Sequence, residues 1–148
     1  MKYITLFLLI GLALSYNRNS AVNYAQTYCS RYNSNYHNYA SVGGDCANFV
    51  SQCMIAGGMS FSSCSVSWID DKGCLPRVSD LRSCLSQKGW KSSSSLPGSF
   101  KAGYPLFLSS GSHAMIAVSV SGSTVYYAAH TNDRCNQPIS SGVIYYYE

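Results

Sequence analysis

Hydrophobic and polar positions along the chain follow two periods, and the change comes past the middle. In the first half, Ala21, Tyr24, Ala25 and Tyr28 fall at i, i+3, i+4 and i+7 spacing. That spacing predicts an amphipathic helix from an N-cap at Asn19 or Ser20 to about Tyr32. Ala47, Phe49, Val50, Met54 and Ile55 predict a second helix, with Asp45 at its N-cap position and Gly57-Gly58 as its stop. A third, shorter helix starts at Ser79 and carries Leu81, Cys84 and Leu85 up to Gly89. Beyond Pro105 the runs become short and β-branched or aromatic. Pro105 to Ser109, His113 to Val120, Thr124 to Thr131 and Val143 to Tyr147 read as strands. Ser121-Gly122-Ser123 reads as a three-residue hairpin loop, and Ser92 to Ser95 with Pro97-Gly98 as a loop within one domain. Helices first and antiparallel strands later predict an α+β fold, with the helices packed on one face of the sheet.

The first residues follow neither pattern. Lys2 leads an apolar run that closes on Ala13-Leu14-Ser15, a small-x-small site. This reads as a signal peptide over residues 1–15, because the run is shorter than the roughly 20 residues of a membrane span. The competing reading is an uncleaved interfacial anchor. The expected product is an exported protein of one domain, residues 16–148, with no membrane span.

Composition adds two exclusions. The formal charge is +4, and the basic residues are dispersed without a block or an Arg-aromatic stripe, which argues against nucleic-acid binding. The seven cysteines include no C-x2-C pair and the three histidines are widely separated, which argues against a zinc site. No cofactor is expected. In an exported protein pairing of cysteines is the default, yet seven is odd, so at least one thiol is left over.

Position suggests which one. Cys46 follows Gly43-Gly44-Asp45 at the start of a helix, where unsatisfied N–H groups and the positive end of the dipole stabilise a thiolate. The same N–H groups suit an oxyanion. Cys53 lies two turns further on, beyond that field. A thiol nucleophile needs a base, and His113 begins a strongly apolar strand, where a side chain can face a cleft. A hairpin centred on Gly122 sets His113 opposite Thr131, within one residue of His130 and Asn132, either of which could orient its ring. His37, in an Asn/Tyr-rich loop, has no such context and is expected in solvent.

These residues also carry a resemblance. Tyr16-Asn17-Arg18-Asn19-Ser20-Ala21-Val22, Gly44-Asp45-Cys46-Ala47-Asn48-Phe49-Val50-Ser51-Gln52-Cys53 with Ala56-Gly57-Gly58, and His130-Thr131-Asn132-Asp133 closely resemble the putative amidase domain family. That family is similar to the papain-like NlpC/P60 and CHAP superfamily of cell-wall amidases and peptidases. The resemblance implies a papain-like α+β fold and a nucleophilic Cys46 facing His113. Its third residue would be His130 first and Asn132 second. It implies hydrolysis of amide bonds of peptidoglycan or a peptide, and a secreted monomer is expected. Cys29, Cys53, Cys64, Cys74, Cys84 and Cys135 are then left for three disulfides. Two departures are visible. Gly103-Tyr104-Pro105 stands where relatives often have Gly-Asp, and Ala114 where they often have Ser after the histidine. Two alternatives keep the fold. One is a non-catalytic, disulfide-stapled binding or toxin-like module. The other is transglutaminase-like acyl transfer with the same dyad.

Overall fold

The computed structural model describes residues 15–148, so the expected leader lies outside the described residues apart from Ser15. Three helices precede a six-stranded antiparallel sheet: α1 (Arg18–Tyr28), α2 (Cys46–Ala56), α3 (Val78–Gln87), β1 (Lys91–Ser93), β2 (Pro105–Leu108), β3 (Ala114–Ser121), β4 (Thr124–Ala129), β5 (Arg134–Ile139) and β6 (Val143–Tyr147). The strand order is β1-β6-β2-β3-β4-β5. The α+β expectation and the order of helices and strands hold. Among the described residues no helix is long and apolar enough to cross a membrane.

α1 begins two or three residues earlier than the periodicity suggests and ends at Tyr28 rather than near Tyr32. Its cap is Asn17, whose side-chain oxygen accepts the Ser20 N–H at 3.0 Å. Its buried stripe is Ala21 and Ala25, small side chains that let α2 approach closely. α2 is central: every residue from Ala47 to Met54 is buried, polar Asn48, Ser51 and Gln52 included. A helix enclosed on all sides shows a blurred amphipathic pattern in sequence and makes a rigid mount for a side chain at its end. Ser51 secures it by exchanging hydrogen bonds with the Leu75 backbone, donating at 3.3 Å and accepting at 3.1 Å. Gly103 is held as glycine by the space around it. It sits at φ +90°, and a Cβ there would lie 2.7 Å from the Arg18 carbonyl oxygen, so any larger residue collides with α1.

The β3–β4 hairpin pairs Ser121 with Thr124, leaving Gly122-Ser123 as a two-residue loop rather than the three-residue loop expected. An irregularity between Ala117 and Ser119 then shifts the register by one residue, to Ala117 opposite Tyr127 and Ile116 opposite Ala128. Continued past the ends of both strands, this register sets His113 opposite Thr131, as the sequence suggested. His113 also extends the β2–β3 ladder, its carbonyl accepting the Leu108 N–H at 3.0 Å.

Two disulfides form, Cys29–Cys135 and Cys64–Cys84. The first ties the C-terminal end of α1 to β5, and the second joins the Cys64 loop to α3. The expectation of three disulfides is therefore corrected: Cys53 and Cys74 are buried thiols, and burial raises the pKa of both. Each lies inside the core around α2, where close packing suits a thiol as a small hydrophobe.

Candidate active site

Cys46 is the first residue of α2 and is partly exposed, whereas Cys53 and Cys74 are buried. Asp45 occupies the N-cap position, but its carboxylate makes no cap hydrogen bond. It is fully buried and turned the other way. Its oxygens accept the Tyr39 N–H at 2.9 Å, an Asn48 side-chain N–H at 2.9 Å, and the His130 Nδ1–H at 2.7 Å. The first-turn N–H groups beside Cys46 are thus left without a side-chain cap. Gly43 and Gly44, at φ +108° and +104°, bend the chain into this turn. A Cβ on Gly44 would stand 3.2 Å from the Thr131 Oγ1, and that hydroxyl accepts the Asp45 N–H at 3.0 Å.

His130 is 1% exposed, stacks on Phe49 with ring centroids 4.0 Å apart, and places Nε2 2.6 Å from the Tyr28 carbonyl oxygen. Both of its neighbours are acceptors, so both nitrogens must carry protons for both bonds to form. Burial pulls its pKa down, but the hydrogen bonds to Asp45 and Tyr28 and the charges of Asp45 and Asp133 outweigh it, and the net shift is upward. Asp45 and His130 form a buried ion pair that fastens the start of α2 to α1 and to the end of β4. This corrects the expectation that His130 orients His113, because neither of its nitrogens is available to that ring.

His113 is half-buried, and burial lowers its pKa, so the ring is neutral near pH 7 with a lone pair to accept a proton. It lines a hollow of about 260 Å³ with Thr131 and Asn132. No hydrogen bond joins Asn132 to His113 among the described residues. Thr131 and Asn132 both take left-handed backbone angles, φ 66° and 61°, a sparsely populated region for residues other than glycine. Cys46 lines a separate cleft of about 450 Å³ that also holds Tyr39, Trp68, Arg77 and Ser112. The linings of the two hollows come near each other at two points: Ser112 precedes His113 in the chain, and the Thr131 hydroxyl lies 3.2 Å from where a Cβ on Gly44 would be. The thiol and the imidazole therefore stand at neighbouring hollows rather than in one.

Sequence reading missed three parts of this arrangement. Asp45 was legible only as a helix cap, Thr131 only as a register partner, and the Tyr39–Trp68–Arg77 wall not at all. The Asp-Cys adjacency was the available signal for the first. His37 is exposed, as expected, and pairs with exposed Asp71. Among the described residues no three His, Cys, Asp or Glu side chains are grouped to hold a metal ion.

No curated protein and no solved structure matches the chain. The model of the putative amidase domain family matches residues 15–98, which spans α1, the glycine turn, Cys46, α2, α3 and β1 but stops short of His113 and His130. With more than half of its length matched, the chain belongs to the putative amidase domain family.

Proposed function

We propose that the protein is a secreted cysteine amidase or peptidase that cleaves amide bonds of bacterial peptidoglycan. Residues 1–15 are its signal peptide and 16–148 its NlpC/P60- and CHAP-like domain. One observation carries the reading: a partly exposed thiol opens a helix whose cap carboxylate is diverted into a buried ion pair, leaving the helix end facing a cleft. Family membership supports amide hydrolysis, and the two disulfides suit an extracellular protein.

In the proposed cycle His113 takes the proton from the Cys46 thiol, and the thiolate attacks the amide carbonyl carbon. The carbonyl becomes an oxyanion, held by the N–H groups at the start of α2. His113 then gives its proton to the departing amine, the C–N bond breaks and a thioester remains. Water, deprotonated by His113, cleaves the thioester to a carboxylic acid and restores the thiol. In this cycle Asn132, which lines the same hollow as His113, orients its ring. The Asp45–His130 pair positions the nucleophile's helix.

Digestion of purified peptidoglycan, with new termini identified by mass spectrometry, tests the reading. New amine and carboxyl ends at one type of amide are expected. His113→Ala should lower the rate by about 10²- to 10⁴-fold and Asn132→Ala by less. Intact peptidoglycan, or equal and negligible effects of both substitutions, contradicts the proposed cycle. The separation of thiol and imidazole into neighbouring hollows favours one second reading, a binding module of the same fold. Retention of peptidoglycan without new termini would identify it. Transglutaminase-like transfer would instead yield product only when an amine acceptor is supplied.

A further inference from the structure

One wall of the Cys46 cleft is built from side chains with no part in the proposed cycle. Tyr39 and Trp68 meet edge to face with ring centroids 5.4 Å apart, and the Arg77 guanidinium lies over Trp68, its Cζ 5.7 Å from the ring centroid. Trp68 is 40% exposed and neighbouring Val42 is 70% exposed, so a flat apolar surface faces solvent beside the thiol. Large exposed aromatic faces on a cleft wall are costly to leave in water and gain when a ligand covers them.

Tyr39 and the loop carrying Trp68 are held from behind. The Tyr39 hydroxyl donates to Asp70 at 3.0 Å, and the Tyr39 N–H is one of the donors to Asp45. Buried Asp80 accepts the Ser67 N–H at 3.0 Å, which ties the loop carrying Trp68 to the first turn of α3. Arg77 is the N-cap residue of α3. The aromatic part of the wall is therefore anchored, and its near edge shares Asp45 with the nucleophile's helix.

The charge along the cleft has one sign. Arg77 is the charged side chain among the cleft-lining residues, and no carboxylate lines it. Exposed Asp71 pairs with His37 and Lys72, and Asp70 is buried behind Tyr39. Its oxygens are taken by the Tyr39 hydroxyl and the N–H groups of Lys72 and Cys74. A second guanidinium, that of Arg82, lies beneath the opposite rim, its Nη1 3.7 Å from where a Cβ of Gly111 would be. A planar cation fixed on an aromatic face presents its fork to a carboxylate, which it can bind through two parallel N–H bonds.

We infer that the Tyr39–Trp68–Arg77 wall is a substrate subsite selecting a carboxylate-bearing peptide segment adjacent to the scissile amide. Arg77 binds the carboxylate and Trp68 covers the apolar or sugar face beside it. Both are specificity-determining residues that take no part in bond breaking. The inference deepens the proposed function and rests on the Cys46 cleft being the substrate site.

Its test is a binding measurement in which hydrolysis plays no part. The Cys46→Ala protein is titrated with N-acetylmuramoyl-L-alanyl-D-glutamate and with the same compound carrying both carboxylates as amides. Tryptophan fluorescence is the readout. The diacid is expected to bind at least about tenfold tighter than the diamide, as a charge-assisted bidentate bond implies. Arg77→Gln in the same background should bring the two probes within about twofold, while Arg77→Lys keeps part of the preference. Trp68→Ala should weaken both probes alike, with binding then read by calorimetry. Equal binding of diacid and diamide, no binding of either, or a preference that survives Arg77→Gln would overturn the inference. Selective binding of the diacid by a protein that leaves peptidoglycan intact would refute the hydrolase reading and leave the subsite standing.

Discussion

Replacing Cys46 with alanine is expected to abolish turnover, by about 10⁴-fold or more, while leaving stability within about 1 kcal/mol. The two halves of this expectation have separate causes. Removal of a nucleophile leaves only binding and electrostatic stabilisation of a reaction that now lacks its covalent step. The thiol itself is partly exposed and joins no disulfide, so its loss opens no cavity and breaks no crosslink. Peptidoglycan digestion and urea unfolding of the same preparation check both halves together. A large loss of stability would make Cys46 a structural residue, and retained turnover would place the chemistry elsewhere.

His130→Ala is expected to act the opposite way. Asp45 is fully buried and His130 is 1% exposed, so the substitution leaves a carboxylate in the interior without its cation. Breaking one side of such a pair costs about 3–5 kcal/mol, and here the stacked contact with Phe49 is lost as well. Replacing both partners with apolar residues of similar size should cost less than removing His130 alone. The pair also gives the fold a pH dependence with a definite sign. Because the folded-state pKa of His130 is raised, its contribution is fully present below the unfolded value of about 6.5. It is lost as pH rises through the raised folded-state value. Unfolding midpoints measured from pH 6 upward should therefore fall for the native protein and fall less for His130→Gln. A native midpoint that does not decline faster than that of His130→Gln would show that His130 is not held protonated.

How legible this was in sequence depended on burial. α1, α2 and α3 were found because each has a periodic stripe or clear stops, Gly57-Gly58 among them. The central strands β2, β3, β4 and β6 were found because they carry β-branched and aromatic runs. The missed strands, β1 and β5, are the two edges of the sheet. Lys91–Ser93 and Arg134–Ile139 are almost wholly exposed, and β5 contains Pro138, which an edge strand tolerates. With no face to bury, they have no hydrophobic alternation to read. The cysteine count suggested three disulfides because parity identifies an odd thiol but not how many others are simply packed in the core. His130 misled for a related reason. It lies one residue beyond the end of β4 rather than within the strand, and there it turns inward to Asp45.

The proposed function turns on Cys46 as the reactive group of this fold. Iodoacetamide treatment of the unreduced native protein, followed by intact mass, peptide mapping and residual amidase activity, tests it most directly. The buried, raised-pKa thiols of Cys53 and Cys74 should stay unmodified. A single adduct is expected, located at Cys46, with activity lost in proportion to its formation. Full activity with Cys46 alkylated, or inactivation by an adduct on another cysteine, would contradict it.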